Sequence, residues 1–424
     1  MKSLLGDLWG PACFLLIALG LAAGSVPLIG LGVLVLAAGG VARLGARLAL
    51  DQVRYTRIAP ETRAFVGETL SMRLRLVNAK WLPLPWVELR DALPEAMPPT
   101  DVETHPSGMP GVVLFTRAAS MRGREAIEWP VTMTALTRGF FRVGPARLRS
   151  SDLFGLFERD VTVRDDAHLV VYPRTYDLGE IGMPSARPFG ERPGGQRLFE
   201  DPVRVVGVRD YIAGDPLKRV DWNATARVGR LQSRLYEPSR SQAIVIALNI
   251  TTMEHTWQGF DPIVLERGVV VAASLARAAF EDHASIGLVA NGSFPDADRP
   301  IRIGAGRRPD QLVRVLEALA MVAPFTTSLL SEELERPGSA LPAGATVVVV
   351  AALMPPELAA TLRLLRSQGY GVQIVKTSAW EWGEEAAGLS IVEVEPAMRA
   401  LEAQTQDEAM LTAARGGMRE VLER

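Results

Sequence analysis

Three carboxylates fall close together in the middle of the chain, Asp210, Asp215 and Asp221, and clustered acids are what general acid–base chemistry requires. Arg209, Lys218 and Arg219 stand between or beside them. Cations that near hold carboxylates ionised, which suits ion pairing and removes the proton an acid catalyst must carry. A second candidate is Asn249, Thr251 and Thr252, directly after the apolar run Ala243-Ile-Val-Ile-Ala-Leu248. Open α/β sheets bind ligands at the carboxyl ends of such strands, and short polar side chains there also cap loops through Asx turns. Ile303-Gly-Ala-Gly-Arg-Arg-Pro309 has two glycines but lacks the third glycine and the downstream acid of a dinucleotide site. It reads as a turn into the next helix. No Walker Lys-Ser/Thr loop occurs. Cys13 is the sole cysteine, and His105, His168, His255 and His283 are widely spaced. A disulfide, a thiolate zinc site and a His-rich metal centre are therefore not expected.

These residues need elements to position them. The chain has 424 residues, a prior of two or three folding units at about 150 residues each. Hydrophobic residues make up 48 % and charged ones 22 %, which excludes wholesale disorder. Lys and Arg number 46 against 48 acids, for a net charge of -2, and that balance argues against a dedicated nucleic-acid binder. A mean hydropathy of +0.13 points to a membrane segment. From Leu8 to Ala42 there are 35 uncharged positions. As one helix they would measure about 52 Å, against a hydrocarbon core of about 30 Å. Two short spans, about 8–23 and 28–42, turning at Gly24-Ser25-Val26-Pro27, fit better. A cleaved signal peptide fits less well, because the apolar run is too long and no small-residue cleavage site ends it. Arg43, Arg47, Arg54 and Arg57 follow the second span against Asp51 alone, so both chain ends are expected in the cytoplasm.

Residues 51–165 read as a small β-sandwich. Leu70, Met72, Leu74 and Leu76 alternate with Ser71, Arg73 and Arg75, and Val131–Ala135, Phe140–Gly144 and Ala146–Ser150 are also strand-like. Lys80-Trp-Leu-Pro-Leu-Pro-Trp86 is Pro-rich and reads as a loop or an edge. Residues 241–424 alternate strand and helix, the pattern of a parallel α/β sheet. The helix over 262–281 carries Val264, Leu265, Gly268, Val271, Ala272 and Leu275 on one broad face. Between these regions, residues 166–240 combine a Gly/Pro/Arg-rich loop with the most distinctive run of the chain. Arg204 to Arg240 holds eight Lys/Arg and four Asp/Glu, either a solvated salt-bridged face or a docking surface for an acidic partner or anion. Trp222 reads as a buried anchor for this run.

The run carries Arg209, Tyr211, Gly214, Asp215, Arg219, Asp221, Trp222, Ala226 and Arg227, and an earlier motif comprises Arg138-Gly139, Gly144-Pro145 and Asp152-Leu-Phe-Gly-Leu-Phe157. In both, the chain resembles domain-of-unknown-function family 58. The resemblance implies a multidomain protein: an N-terminal two-helix transmembrane hairpin over 1–50, the β-sandwich, the signature segment, and a von Willebrand factor A-like, Rossmann-like α/β domain. It implies partnership with a MoxR-type AAA+ ATPase, at times alongside transglutaminase-like proteins, and no established enzymatic activity. Such A domains often hold Mg²⁺ through Asp-x-Ser-x-Ser after the first strand. The matching positions here are Asn249, Thr251 and Met253, an amide and a thioether where the ion needs hard oxygens and a carboxylate. The expectation is therefore a degenerate site with no metal and no cofactor. The protein is read as a non-enzymatic adaptor at the bacterial cell membrane with its soluble domains cytoplasmic, docking through Arg209–Arg227. The alternative is an enzyme subunit or accessory factor in cell-envelope maturation.

Overall fold

The computed structural model describes residues 4–59, 61–100, 102–152, 157–164, 167–184, 189, 199–212, 220–239, 243–295, 297–336 and 341–405. The chain divides into two compact units, Met1–Pro173 and Arg174–Arg424.

The first unit begins with helices α1 (Leu4–Ala22) and α2 (Val26–Ala49). Gly24 sits at φ +61° in the turn between them, and proline stands in the first turn of α2, as the breaking residues predict. The helices approach closely because side chains are missing where they meet: a Cβ on Gly32 would stand 2.5 Å from Ile17. Among the described residues one helix, α2, is long and apolar enough to cross a membrane, and the apolar stretch of α1, Gly10–Ala22, is shorter. Of the two expected spans, the described residues thus supply one that meets the length and one that is a shorter apolar stretch. That helix also runs seven residues past the expected end at Ala42. Its last turn joins the β core through Ala49 and Leu50, and Lys80 Nζ donates to the Ala49 carbonyl and, at 3.4 Å, to that of Asp51. A cation there satisfies helix-end carbonyls and opposes their partial negative charge.

Eleven strands follow: β1 (Val53–Ile58), β2 (Arg63–Phe65), β3 (Thr69–Asn78), β4 (Leu84–Pro94), β5 (Thr104–Pro106), β6 (Val112–Met121), β7 (Ala126–Thr134), β8 (Gly139–Val143), β9 (Ala146–Ser151), β10 (Glu158–Val163) and β11 (Ala167–Tyr172). They form sheets of order β1-β3-β7, β10-β9-β4-β6-β5 and β2-β11-β8. One apolar core serves all three, and the alternation read along β3 holds, with Leu70, Met72, Leu74 and Leu76 buried. The Pro-rich segment differs from expectation. β4 starts at Leu84 and is a central strand between β9 and β6, not a loop or an edge. Pro85 is tolerated because the pairing with β6 shifts register between Leu84 and Val87, where no ladder bond is required of it. Arg57 is not a free flanking charge either. Its guanidinium grips the buried Asp91 carboxylate (Nη2–Oδ1 2.7 Å, Nε–Oδ2 2.9 Å), and the Tyr55 hydroxyl donates to the same carboxylate at 2.5 Å.

The second unit opens with β12 (Phe199–Asp210), α3 (Trp222–Val228) and β13 (Gln232–Ser239), the two strands pairing antiparallel. β14 (Ala243–Leu248), α4 (Pro262–Glu281), β15 (Ser285–Phe294), β16 (Ala297–Gly306), α5 (Gln311–Ala320), α6 (Leu330–Glu335), β17 (Thr346–Ala351), α7 (Pro356–Ser367), β18 (Gly371–Lys376) and β19 (Ile391–Glu393) complete it, with a helix over 395–405. The sheet order is β16-β15-β14-β17-β18-β19. All neighbours are parallel except β15 and β16. Two residues separate that pair, too few for a crossover, so β16 must return antiparallel. The glycines of Ile303-Gly-Ala-Gly306 therefore lie in an edge strand and not in a turn. Their openness admits Gln311, whose amide donates to the carbonyls of Gly304 (2.9 Å) and Ile286 (2.8 Å). β14 and β17 are covered on both faces, as their unbroken apolar runs require. Arg267, on the buried side of α4, forks onto Glu402 (both bonds 2.8 Å) and donates to the Thr377 carbonyl at 2.9 Å, fastening the final helix.

Candidate functional site

Strand order reverses between β15-β14 and β14-β17, which makes the carboxyl end of β14 the switch point where open α/β sheets place their ligands. Two buried amides occupy it. Asn291 of β15 donates through Nδ2 to Asn249 Oδ1 at 3.1 Å and to Thr251 Oγ1 at 3.4 Å, while its Oδ1 accepts from the Ile250 amide at 2.9 Å. Asn249 Oδ1 also accepts the Thr251 amide at 3.2 Å, an Asx turn. Thr252 Oγ1 accepts the Asp261 amide at 2.8 Å, and Asp261 then caps α4 by accepting from Ile263 (2.9 Å) and Val264 (3.2 Å). The oxygen that stands where a cation-binding carboxylate would be is thus engaged by two N–H groups and carries no net charge. Met253 is half-buried beside it. Among the described residues no cluster of three or more His, Cys, Asp or Glu side chains could hold a metal ion.

Sequence reasoning missed Asn291. The signal was available, since it directly follows the apolar run Ile286–Ala290 just as Asn249 follows that of β14. It also missed the exposed apolar side chains in the loops of this unit. His255 stacks on Trp257 (ring centroids 5.7 Å apart) in the loop after β14, and Trp257 is 80 % exposed and Phe260 42 %. The loop before α6 is tied to β15 by Thr327, whose amide donates to the Asn291 carbonyl at 3.0 Å. It holds out Phe325, 71 % exposed, and Leu329. Trp380 is part-exposed in the loop after β18, a loop anchored where Ser378 Oγ and Trp382 Nε1 both donate to the Ala352 carbonyl. Large apolar side chains held out by well-tied loops cost solvation without stabilising their own core, and they are the residues that anchor protein interfaces.

The signature segment is mainly built around Asp221. Its carboxylate caps α3, accepting from Asn223 (3.1 Å) and Ala224 (3.0 Å), and pairs with Arg234 Nε at 3.1 Å. The Ala224 amide, then Arg234, hold this carboxyl below the usual range. Asp210 Oδ1 accepts the Gln232 amide at 2.5 Å, and Gln232 N in turn donates to Thr225 Oγ1 at 3.0 Å. Arg209 Nη1 reaches the Asp210 carbonyl at 3.1 Å, and the Tyr211 amide donates to Leu231 O at 2.9 Å. Arg227 is exposed in the last turn of α3. Gly214, Asp215 and Arg219, with Lys218, lie outside the described residues. Trp222 departs from expectation. It is 66 % exposed at the start of α3, not a buried anchor, because Val220 turns inward instead and α3 buries none of its side chains.

The earlier motif is structural. Gly144 has φ +103°, and a Cβ there would lie 2.6 Å from Arg57 Nη2, so glycine lets the chain close over the buried ion pair. Asp152 Oδ1 accepts the Phe157 amide at 2.7 Å, closing the loop whose residues 153–156 lie outside the described set.

A family model described as "Protein of unknown function DUF58" matches residues 207–381, from β12 past the end of β18. That stretch of the chain is a DUF58 region. The chain is also similar to the uncharacterized protein YeaD of Bacillus subtilis, 23 % identical over 258 residues. That match spans 57 % of this chain and 57 % of the relative, so it covers little more than half of either. Among solved structures, the CARDB domain of a Pyrococcus furiosus protein is 11 % identical and covers 28 % of this chain and 91 % of its own, with a TM-score of 0.18. A cohesin from Archaeoglobus fulgidus is 14 % identical with the same two coverages, 28 % and 91 %, and a TM-score of 0.19. At TM-scores this low neither says anything about the function of this chain.

Proposed function

We propose that this protein is a membrane-tethered, non-enzymatic docking platform, with α1 and α2 crossing the bilayer as a hairpin and both soluble units in the cytoplasm. Its α/β unit has the order of a doubly wound sheet with one antiparallel edge, which supports a von Willebrand factor A-like reading. The observation that carries the proposal is the exposure of Trp257, Phe260, Phe325, Leu329 and Trp380 in loops of the α/β unit, together with a switch point whose own polar groups bond to each other. A site that needed a cation or substrate there would leave Asn249 Oδ1 open. A docking face needs rigid loops and aromatic anchors. The partner that the family resemblance implies is a MoxR-type AAA+ ATPase. Asp221, fixed as a cap and paired with Arg234, favours this reading over an acid–base role in envelope maturation.

The test is capture of a MoxR-type ATPase by the full-length protein in detergent, beside the variants Trp257→Ala with Phe325→Ala, and Arg219→Glu with Arg227→Glu. Truncating a central aromatic anchor costs about 2–4 kcal/mol, so the first variant should lose at least about 30-fold in affinity. Capture undiminished in both variants, or absent with the unmodified chain, refutes the docking assignment.

A further inference from the structure

A cavity of about 510 Å³ lies where the edge strand β16 faces α6 and the loop before it, and its charged lining is mostly cationic. Arg299 and Arg302 come from β16, Thr327 and Ser328 from the loop before α6, and Glu333 and Arg336 from α6 and the residue after it. Among the described lining residues three guanidiniums face one carboxylate, an excess of two positive charges. Glu333 is fully buried and receives Arg302 Nη2 on one oxygen, while Arg336 Nη2 stays 3.6 Å from the other. Three polar atoms in the wall, Arg302 Nε, Ser328 Oγ and Glu333 Oε1, are buried with no hydrogen-bond partner, two of them donors. Buried donors in native proteins are almost always paired, and each one left alone costs stability, so an arrangement of this kind implies an acceptor supplied from elsewhere.

We propose that this cavity binds a phosphomonoester dianion, with Arg302, Arg336 and the Ser328 hydroxyl as its donors. Charge selects the ligand class: a dianion cancels the excess of two, whereas a carboxylate leaves one guanidinium unbalanced. Geometry agrees, because a phosphoryl group offers three acceptor oxygens to separate donors and guanidinium forks match it. Glu333 acts as a positioning residue that fixes the Arg302 guanidinium in the wall. Burial, and next the neighbouring Arg336 charge, lower the affinity of Arg302 for its proton, the crowding that a bound anion relieves. Thr327, tied to Asn291, holds the Ser328 segment in place. The ligand is either a soluble phosphomonoester or the headgroup of a phosphatidic-acid-like lipid.

The experiment is calorimetric titration of the full-length protein in neutral-lipid nanodiscs with inorganic phosphate, glycerol 3-phosphate and short-chain phosphatidic acid. Phosphate should bind at millimolar or tighter affinity, and Arg336→Ala should weaken it by about tenfold or more, the loss of one charge-assisted bond. Ser328→Ala, a one-oxygen change that leaves the Arg302–Glu333 pair intact, should weaken it severalfold. Equal binding of the two esters assigns a soluble ligand, and a strong preference for the lipid assigns a headgroup; both uphold the site. No binding of any of the three up to about 10 mM overturns it. So does unchanged binding in Arg336→Ala and Ser328→Ala together.

Discussion

Replacing Asp91 by Asn gives the sharpest test of what holds the β unit together. Asp91 and Arg57 are within 1 % of complete burial, and the Tyr55 hydroxyl shares the same carboxylate. Removing one charge leaves a guanidinium buried without its counter-ion, a defect that costs about 3–5 kcal/mol. Amides of β4 that exchange only on opening of this unit should then exchange roughly 10²- to 10⁴-fold faster, readable peptide by peptide with mass spectrometry on the full-length protein. Tyr55→Phe removes only a hydrogen bond to a charged acceptor and should cost about 1.5–3 kcal/mol. The double variant Arg57→Met, Asp91→Leu restores apolar volume without stranding a charge, so it should be less destabilised than Asp91→Asn. The tyrosine adds a pH signature. Burial first, and then the Asp91 carboxylate, push the Tyr55 hydroxyl far above its ordinary range. A folded-state value raised above the unfolded one means its contribution is complete below about pH 10 and is lost as pH rises past the unfolded phenol. Tyr55→Phe should abolish that alkaline loss. An Asp91→Asn chain within about 1 kcal/mol of the parent, or a double variant worse than the single, would refute the reasoning.

Three further outcomes follow from local geometry. Gly144→Ala forces a Cβ against Arg57 at a φ of +103° and should destabilise the β unit by about 1–3 kcal/mol, seen as faster exchange in β8 and β9. Asn291→Ala strands the Ile250 amide and should cost about 1–3 kcal/mol, with the amides of 249–252 exchanging faster while β18 is unaffected. Asp221 has a folded-state value held below the unfolded one, so its support of α3 is present above about pH 4 and disappears as pH falls through the folded value. Asp221→Asn keeps a capping oxygen and should erase that acid step in the exchange of α3 amides.

Periodic burial was readable in advance because it is a one-dimensional property: β3, β14 and α4 bury the side chains their spacing predicts. What failed depended on partners remote in the chain. Pro85 looked incompatible with a central strand until the register shift opposite β6 gave it a place. Arg57 looked like a flanking charge, and it is buried by an acid that nothing in local spacing reveals, Asp91; Glu402 pairs with the buried Arg267 across the same kind of distance in the chain. Trp222 was misjudged because size and apolarity favour the interior, while the inward position of this segment is taken by Val220 and the seven-residue helix buries none of its own side chains. At the switch point, Asn249, Thr251 and Met253 were identified as short of the oxygens a divalent ion needs. The partner that engages the amide, Asn291, became visible only when β15 was placed beside β14. The exposed aromatics lie in loops, where no periodicity marks a side chain as out or in.

Only three residues separate the end of α2 from the start of β1, and the final turn of the helix is itself part of the β core. Lys80 and an Arg159–Asp51 pair at 3.0 Å clamp that junction from the sheet side. There is no slack at this joint for the helix to swivel in. Whatever tilts α2, such as a neighbour pressing on its apolar flank, levers the β unit by the same angle, and a rise of about 1.5 Å per residue makes the 24-residue helix a handle some 36 Å long.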